Sequence, residues 1–484
     1  MNSRSGMTHR PVPARNGVSL RGAILLAAVL LLGGCATFSK DGGFEAVQTI
    51  AKERLGRDAK WLRSVTDEDS ARAHVKSLLS RPLSADDAVQ LALLNNRGLQ
   101  AAYAELGIAE ADLVQAGRIA NPSFGYLNVR GDGDFKIERA LTFNIMQLLA
   151  MPLTTKIAGY RFDQAKLAAS AEMLGVATET RAAWYGAVAA HEAIRYFEQV
   201  NESAAAGAEL ARRMFAAGNY SALQQAREQA FYADAVAQLA RARQVAEAER
   251  ERLTRLMGLW GEDTAFRLPD RLPDLPEAPI ERGDAEQTAL RTRLDVQASK
   301  RDLETLAESL GLTKATRFIN VLDLGVAQVR EPHAIMNGYD IRFEIPIFDW
   351  GQARVARAEA VYLQAASRTA EIAVNARSEV REAYAAYRTA FELARHYRDE
   401  IVPLRKRISE ENLLRYNGML IGVFELLADA RESIAAVNAA IEAKREFWVA
   451  DVGLQAAQNG AAGGMRKAAR AAPALEAPRP AGGH

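Results

Sequence analysis

The side chains capable of chemistry are few and widely spaced. His74, His191, His333 and His396 are scattered, and none has a second His or Cys at the i+3 or i+4 spacing that sets two ligands on one helix face. His191-Glu192 opens like the zinc-hydrolase motif H-E-x-x-H, in which two imidazoles hold the metal and the carboxylate acts as base. Position 195 is Arg, so the second ligand is missing. The nucleophile turn G-x-S-x-G, the phosphate-cradling P-loop and the dinucleotide fingerprint are absent. The chain reads as a non-enzyme without a metal centre or bound cofactor. Cys35 is its only cysteine, with no partner for a disulfide or a metal cluster, so the one strong nucleophile must serve another purpose.

The residues before Cys35 indicate that purpose. Arg10, Arg15 and Arg21 precede an apolar run at 23–32, and Leu32-Gly33-Gly34-Cys35 follows at once. A positive start, a short apolar stretch and small residues before the cut form a secretory signal, here 1–34. The run falls short of the roughly 20 apolar residues that span a bilayer. Cys35 stands where a bacterial lipoprotein signal places the thiol that receives diacylglycerol, and each acyl CH₂ then adds about 0.8 kcal/mol of membrane affinity. The alternative is an ordinary signal with an incidental Cys. Ala36, not Asp, follows the thiol, which by resemblance to known lipoproteins favours sorting to the outer membrane. Past Cys35 no apolar stretch reaches spanning length, so entry into a membrane would have to be as β-barrel. With 61 basic against 60 acidic residues, the chain has no electrostatic footprint for nucleic acid.

The rest of the sequence states one plan twice: a helical segment, an alternating hairpin, then a long Ala-rich helix and its return. Ala88, Ala92, Leu99 and Gln100 line up with Ala285, Ala289, Val296 and Gln297; Phe143 and Ile145 meet Phe343 and Ile345; Gly218, Leu223, Ala226, Arg227 and Glu228 meet Gly422, Leu427, Ala430, Arg431 and Glu432. The expected organisation is a lipidated segment at 35–83, a first repeat at 84–267, a Pro-rich linker at 268–283, a second repeat at 284–458 and a disordered tail at 459–484. Ser84 with Asp86 and Asp87 starts a helix expected over 85–118. In the first hairpin, about 122–147, Phe135, Ile137, Leu141 and Phe143 alternate with Lys136, Glu138, Thr142 and Asn144, a period of two. The second, about 318–348, sets Tyr339, Ile341, Phe343, Ile345 and Ile347 against Asp340, Arg342, Glu344 and Pro346. From 153 onward a helix of about 64 residues, roughly 96 Å at 1.5 Å per residue, leads to a turn at about 217–222 and a return of about 36 residues. The second copy turns at about 417–424, with Pro403 expected as a kink.

Four strands per chain cannot close a barrel, and lipid does not tolerate open edges. Three chains would supply twelve. The alternative is a hairpin whose apolar face packs on the helices of a non-conducting coiled coil.

In this order of elements the chain resembles the TolC family of outer-membrane channel proteins over 85–457. The carrying features are the twice-given plan, the strand-to-helix exit Ile345-Pro346-Ile347-Phe348-Asp349-Trp350-Gly351, and the turn Phe215-Ala216-Ala217-Gly218-Asn219-Tyr220-Ser221-Ala222-Leu223. The counterpart exit, Met146 to Pro152, is looser, and the second turn leaves open whether Gly418 or Gly422 makes it. The resemblance implies a mainly α fold with a small β part, trimerising into a 12-stranded β-barrel and a 12-helix α-barrel. It implies a homotrimeric exit duct in the outer membrane that meets a periplasmic adaptor protein attached to an inner-membrane transporter. On it, Gly218, Asn219, Tyr220, Ser221, Gly418, Gly422, Val423 and Phe424 would form the adaptor-docking tips, and Glu425 and Asp429 would be candidates for the constriction. Two other readings stand beside it: a lipid-anchored structural or adhesive coiled coil, and an exit duct for type I protein secretion.

Overall fold

A computed structural model describes residues 37–460 except 132, 282, 319 and 320, and at 423, 424 and 427 the backbone alone. The expected signal peptide, Cys35 and the tail beyond 460 lie outside the described residues.

One unit, formed by Ala111–Lys156 and Ile319–Ile347, holds the sheet. Strands β1 (Ser123–Gly131), β2 (Asp134–Asn144), β3 (Leu322–Glu331) and β4 (Ala334–Phe343) form a four-stranded antiparallel sheet in chain order. The two hairpins are joined by β2 and β3, with Leu141 opposite Val326 and Phe143 opposite Leu324. Since cross-strand partners share a face, the register separates two surfaces. One carries Phe124, Leu141, Val326 and Tyr339 in a row, next to Phe143, Leu324 and Ile341. The other carries Asn144, Asp323 and Arg342, then a row of small residues, Gly125, Ala140, Ala327 and Gly338. The alternation therefore gives the apolar and polar faces expected, while β1 and β4 pair on one side only among the described residues.

Both hairpin exits differ from the sequence reading. The long helix α5 (Ile145–Ala216) begins ahead of Pro152, because the Asn144 side chain accepts the Gln147 N–H at 2.7 Å and caps it. Pro152 is thus inside the helix. At 72 residues α5 is about 108 Å long. In the second copy β4 ends at Phe343, and 344–350 run without regular structure, since Pro346 cannot donate to a ladder.

The other unit contains the remaining helices. The lead-in folds as α1 (Glu45–Leu55) and α2 (Val65–Leu79), and Phe44, Val47 and Ala51 enter a core with Leu93, Tyr103 and Met173. The helix expected over 85–118 is two, α3 (Ala85–Asn95) and α4 (Arg97–Ala116). The break comes at Asn96, whose Oδ1 accepts the Leu99 N–H at 3.0 Å while its Nδ2 donates to Leu256 O at 2.8 Å, the last turn of return helix α6 (Ala222–Met257). The second copy breaks at the matching point, between α7 (Ala285–Thr292) and α8 (Leu294–Ala315). There Arg293 donates to Ala457 O at 2.9 Å, in the last turn of return helix α11 (Val423–Asn459), and pairs with Asp295 and Glu379 at 2.7 Å each. Each return helix stops at a glycine, Gly258 or Gly460, with left-handed φ; a Cβ there would come within 2.6 Å of Asn95 O or Asp295 Oδ1. Duplication is therefore visible in three dimensions, in contacts as well as in order.

Between the copies, the proline-rich stretch is a packed strap, not a free linker. Leu272 and Leu275 are buried, Trp448 Nε1 donates to Pro273 O at 3.1 Å, and Leu272 N–H donates to Glu192. Pro403 lies at the start of α10 (Val402–Asn417), and the long helix α9 (Gln352–His396) reaches it through a π turn, Tyr397–Ile401. There the Val402 N–H donates back to Tyr397 O, one residue farther than in an α-helix, so the ring is accommodated by a wider turn.

Arg293 is 2% exposed, and its loss would leave Asp295 and Glu379 without their cation. Arg293→Ala should destabilise the chain by about 3 kcal/mol, read as a fall in the thermal midpoint; a midpoint unchanged from wild type would show that the ion cluster holds nothing together.

Candidate functional site at the helical tips

The first tip joins α5 to α6. Gly218 takes φ +79°, its N–H donates to Phe215 O at 2.9 Å, and the Asn219 N–H reaches Met214 O at 2.9 Å. This crossed pair of bonds closes a helix through a left-handed residue, which glycine adopts without strain. Ser221 then opens α6: its hydroxyl accepts the Gln224 N–H, and the Gln224 side chain accepts the Ser221 N–H at 2.8 Å. Tyr220 is half-buried; burial, and then Tyr416 beside it, raise its phenol above the ordinary value.

The second tip uses neither of its glycines for the left-handed step. Met419 takes it, at φ +59°, with its N–H on Tyr416 O at 2.9 Å and the Leu420 N–H on Arg415 O at 2.8 Å. Among the described residues Met419 is the one non-glycine with positive φ, and its side chain is 93% exposed. Gly418 precedes the step in an ordinary conformation, and Gly422 is the extended N-cap of α11. By geometry Met419 is the counterpart of Gly218, and Gly422 of Ser221. The sequence match of Gly218 with Gly422 follows residue type, whereas the turn is set by where the backbone bonds close. Val423 and Phe424 open α11, and Glu425 is exposed in its first turn.

With that register Glu228 on α6 falls opposite Asp429 on α11, each two turns past its N-cap. Both carboxylates are buried, at 5% and 7% exposed. Glu228 faces Gly207 of α5, whose missing side chain leaves room for it. Asp429 accepts the Ser409 hydroxyl of α10 at 2.6 Å, and its other oxygen is buried without a hydrogen bond. Arg431 reaches across to α6, 5.0 Å over the ring of Phe231. Sequence reasoning selected Asp429 and missed Glu228, although equal spacing from Ser221 and Gly422 would have found the pair. Among the described residues no group of three or more His, Cys, Asp or Glu is placed to hold a metal ion.

Burial pushes the Glu228 carboxyl up, and the Arg431 charge opposes this. A raised acid binds its proton more tightly folded than unfolded. Its stabilising contribution is thus fullest below the ordinary carboxylate value, about 4.3, and falls as pH rises from there through the raised value. Glu228→Gln should flatten that part of the curve of thermal midpoint against pH; parallel curves for variant and wild type would refute it. Met419→Gly should stabilise the chain by about 1 kcal/mol, because a left-handed residue with a Cβ is strained by that amount. Chemical unfolding of the two proteins checks it, and an unchanged midpoint would contradict the strain.

No family model matches the chain. It is 25% identical over 290 residues to the cobalt-zinc-cadmium resistance protein CzcC of Cupriavidus metallidurans, a match covering 57% of this chain and 65% of CzcC. The CmeC outer membrane channel of Campylobacter jejuni superposes with a TM-score of 0.69 at 20% identity, covering 80% of this chain and 88% of that one. The MtrE outer membrane channel of Neisseria gonorrhoeae gives 0.63 at 17% identity, covering 77% of this chain and 88% of that one. These neighbours are channels, and no helix among the described residues is long and apolar enough to cross a membrane. In fold, the chain is similar to these outer-membrane channels.

Proposed function

We propose that this chain is the outer-membrane exit duct of an efflux system, assembled from three copies. The observation that carries the reading is the open four-stranded sheet: one exposed apolar face, one polar face, and an unpaired edge at each end in β1 and β4. An aqueous barrel needs more strands than one chain has, and its edges must pair. Edge-to-edge addition of three sheets satisfies both conditions, with the row Gly125, Ala140, Ala327 and Gly338 leaving one band of the polar side free of bulky groups.

On this reading the tips, Gly218 to Ser221 and Gly418 to Phe424, meet a periplasmic adaptor linked to an inner-membrane transporter. Glu425 and Asp429 are the constriction candidates, and a lipid on Cys35 anchors the assembly. The name of CzcC makes divalent metal cations the first cargo class to test.

Native mass measurement in mild detergent should give three chains, and planar bilayers should show discrete conductance; monomers without conductance would refute the reading. In cells that depend on this chain for resistance to zinc, cobalt or cadmium, Gly218→Val should lower resistance while leaving assembly intact, because valine cannot take the left-handed turn without strain. Full resistance in that variant would remove the first tip from the mechanism.

A further inference from the structure

Beneath the strap lies a cavity of about 360 Å³, within the range of small-molecule sites. Its walls come from α5, the strap, the π turn with the start of α10, and α11. The floor is apolar, built by Leu275, Val402, Val437, Ala440 and Ile441. The rim is charged, with one more cation than carboxylates.

The carboxylates of that rim are already engaged. Asp270 pairs with Arg195 at 2.5 Å, Asp274 with Lys444 at 3.0 Å, and Glu192 accepts the Leu272 N–H at 3.1 Å. Arg271 is exposed on the strap with no ion pair among the described residues, and Tyr196 and Gln199 line the cavity with no side-chain hydrogen-bond partner among them. Arg398 also lines it, from the π turn, with its Nε and one terminal nitrogen held by Asp399 at 2.6 and 3.0 Å and the other terminal nitrogen left over. Donors unspent over an apolar floor suit a ligand with a compact apolar body and one anionic head. The π turn that carries Arg398 is a kind of helix irregularity often found at working sites.

We infer that this cavity binds a small amphipathic carboxylate, with its head at Arg271 and Arg398 and its body on Val437, Ala440 and Ile441. The occupant would clamp the strap to α11 and the π turn. The site is separate from both the tips and the sheet, so its fate does not depend on the duct reading.

The probe is 4-phenylbutyrate, with neutral 4-phenylbutanol as its isostere, dialysed to equilibrium against the full chain held in amphipol. Wild type should bind the acid saturably, one molecule per chain, and the alcohol about tenfold more weakly, the size of a charge-assisted contact. Arg271→Glu should weaken the acid by at least about tenfold while leaving the alcohol unchanged. Ile441→Trp should abolish both by filling the floor. Because Arg271 is exposed, its variant keeps the test open if Ile441→Trp fails to fold. No saturable binding in wild type, equal affinity for acid and alcohol, or an Arg271→Glu variant that binds the acid as wild type does would each overturn the inference.

Discussion

A sheet edge carries backbone N–H and C=O groups that must find partners, and among the described residues two such edges remain open. The apolar face of the same sheet is exposed over Phe124, Tyr339 and Ile341. These two facts constrain the sheet: strand register must hold one face apolar, and the hairpins must leave β1 and β4 outermost. In hydrocarbon such groups would be satisfied only by closure. The helical part has buried cores of its own, around Trp184 and Tyr185, which second-copy residues such as Ile441 and Val452 help to fill, and around Tyr387, Phe391 and Phe447.

Duplication shows how one architectural task can be met by different chemistry. Both copies break the leading helix and grip the last turn of their own return helix at that break. Neutral amides do this in the first copy, through Asn95 and Asn96; a buried guanidinium does it in the second, through Arg293. The glycine that ends each return helix is required because backbone or carboxylate fills the space a Cβ would need. The same divergence appears at the tips, where glycine makes one left-handed step and methionine the other.

Most of the architecture was legible in the sequence because its signals are local. Alternation in β2 and β4, the glycine at the first turn and the repeat of the whole plan all survive in single windows of residues. The sequence was silent where distant contacts decide. Neither Asn96 nor Arg293 is a helix breaker, and each break depends on a carbonyl far along the chain. Pro152 suggested a helix start, but Asn144 provided a cap upstream of it. At the second tip residue type pointed to Gly422, while backbone bonding chose Met419, and the shift hid the kinship of Glu228 and Asp429. Cys35 rests on its sequence context alone.

The π turn between α9 and α10 adds one residue to a helix that is otherwise regular, and an α-helix advances about 100° per residue. Everything from Val402 onward is therefore rotated relative to the phase that α9 had set, while α5 carries no such step before its own tip. Two copies of one plan thus reach their tips with different angular settings, set by a single added residue.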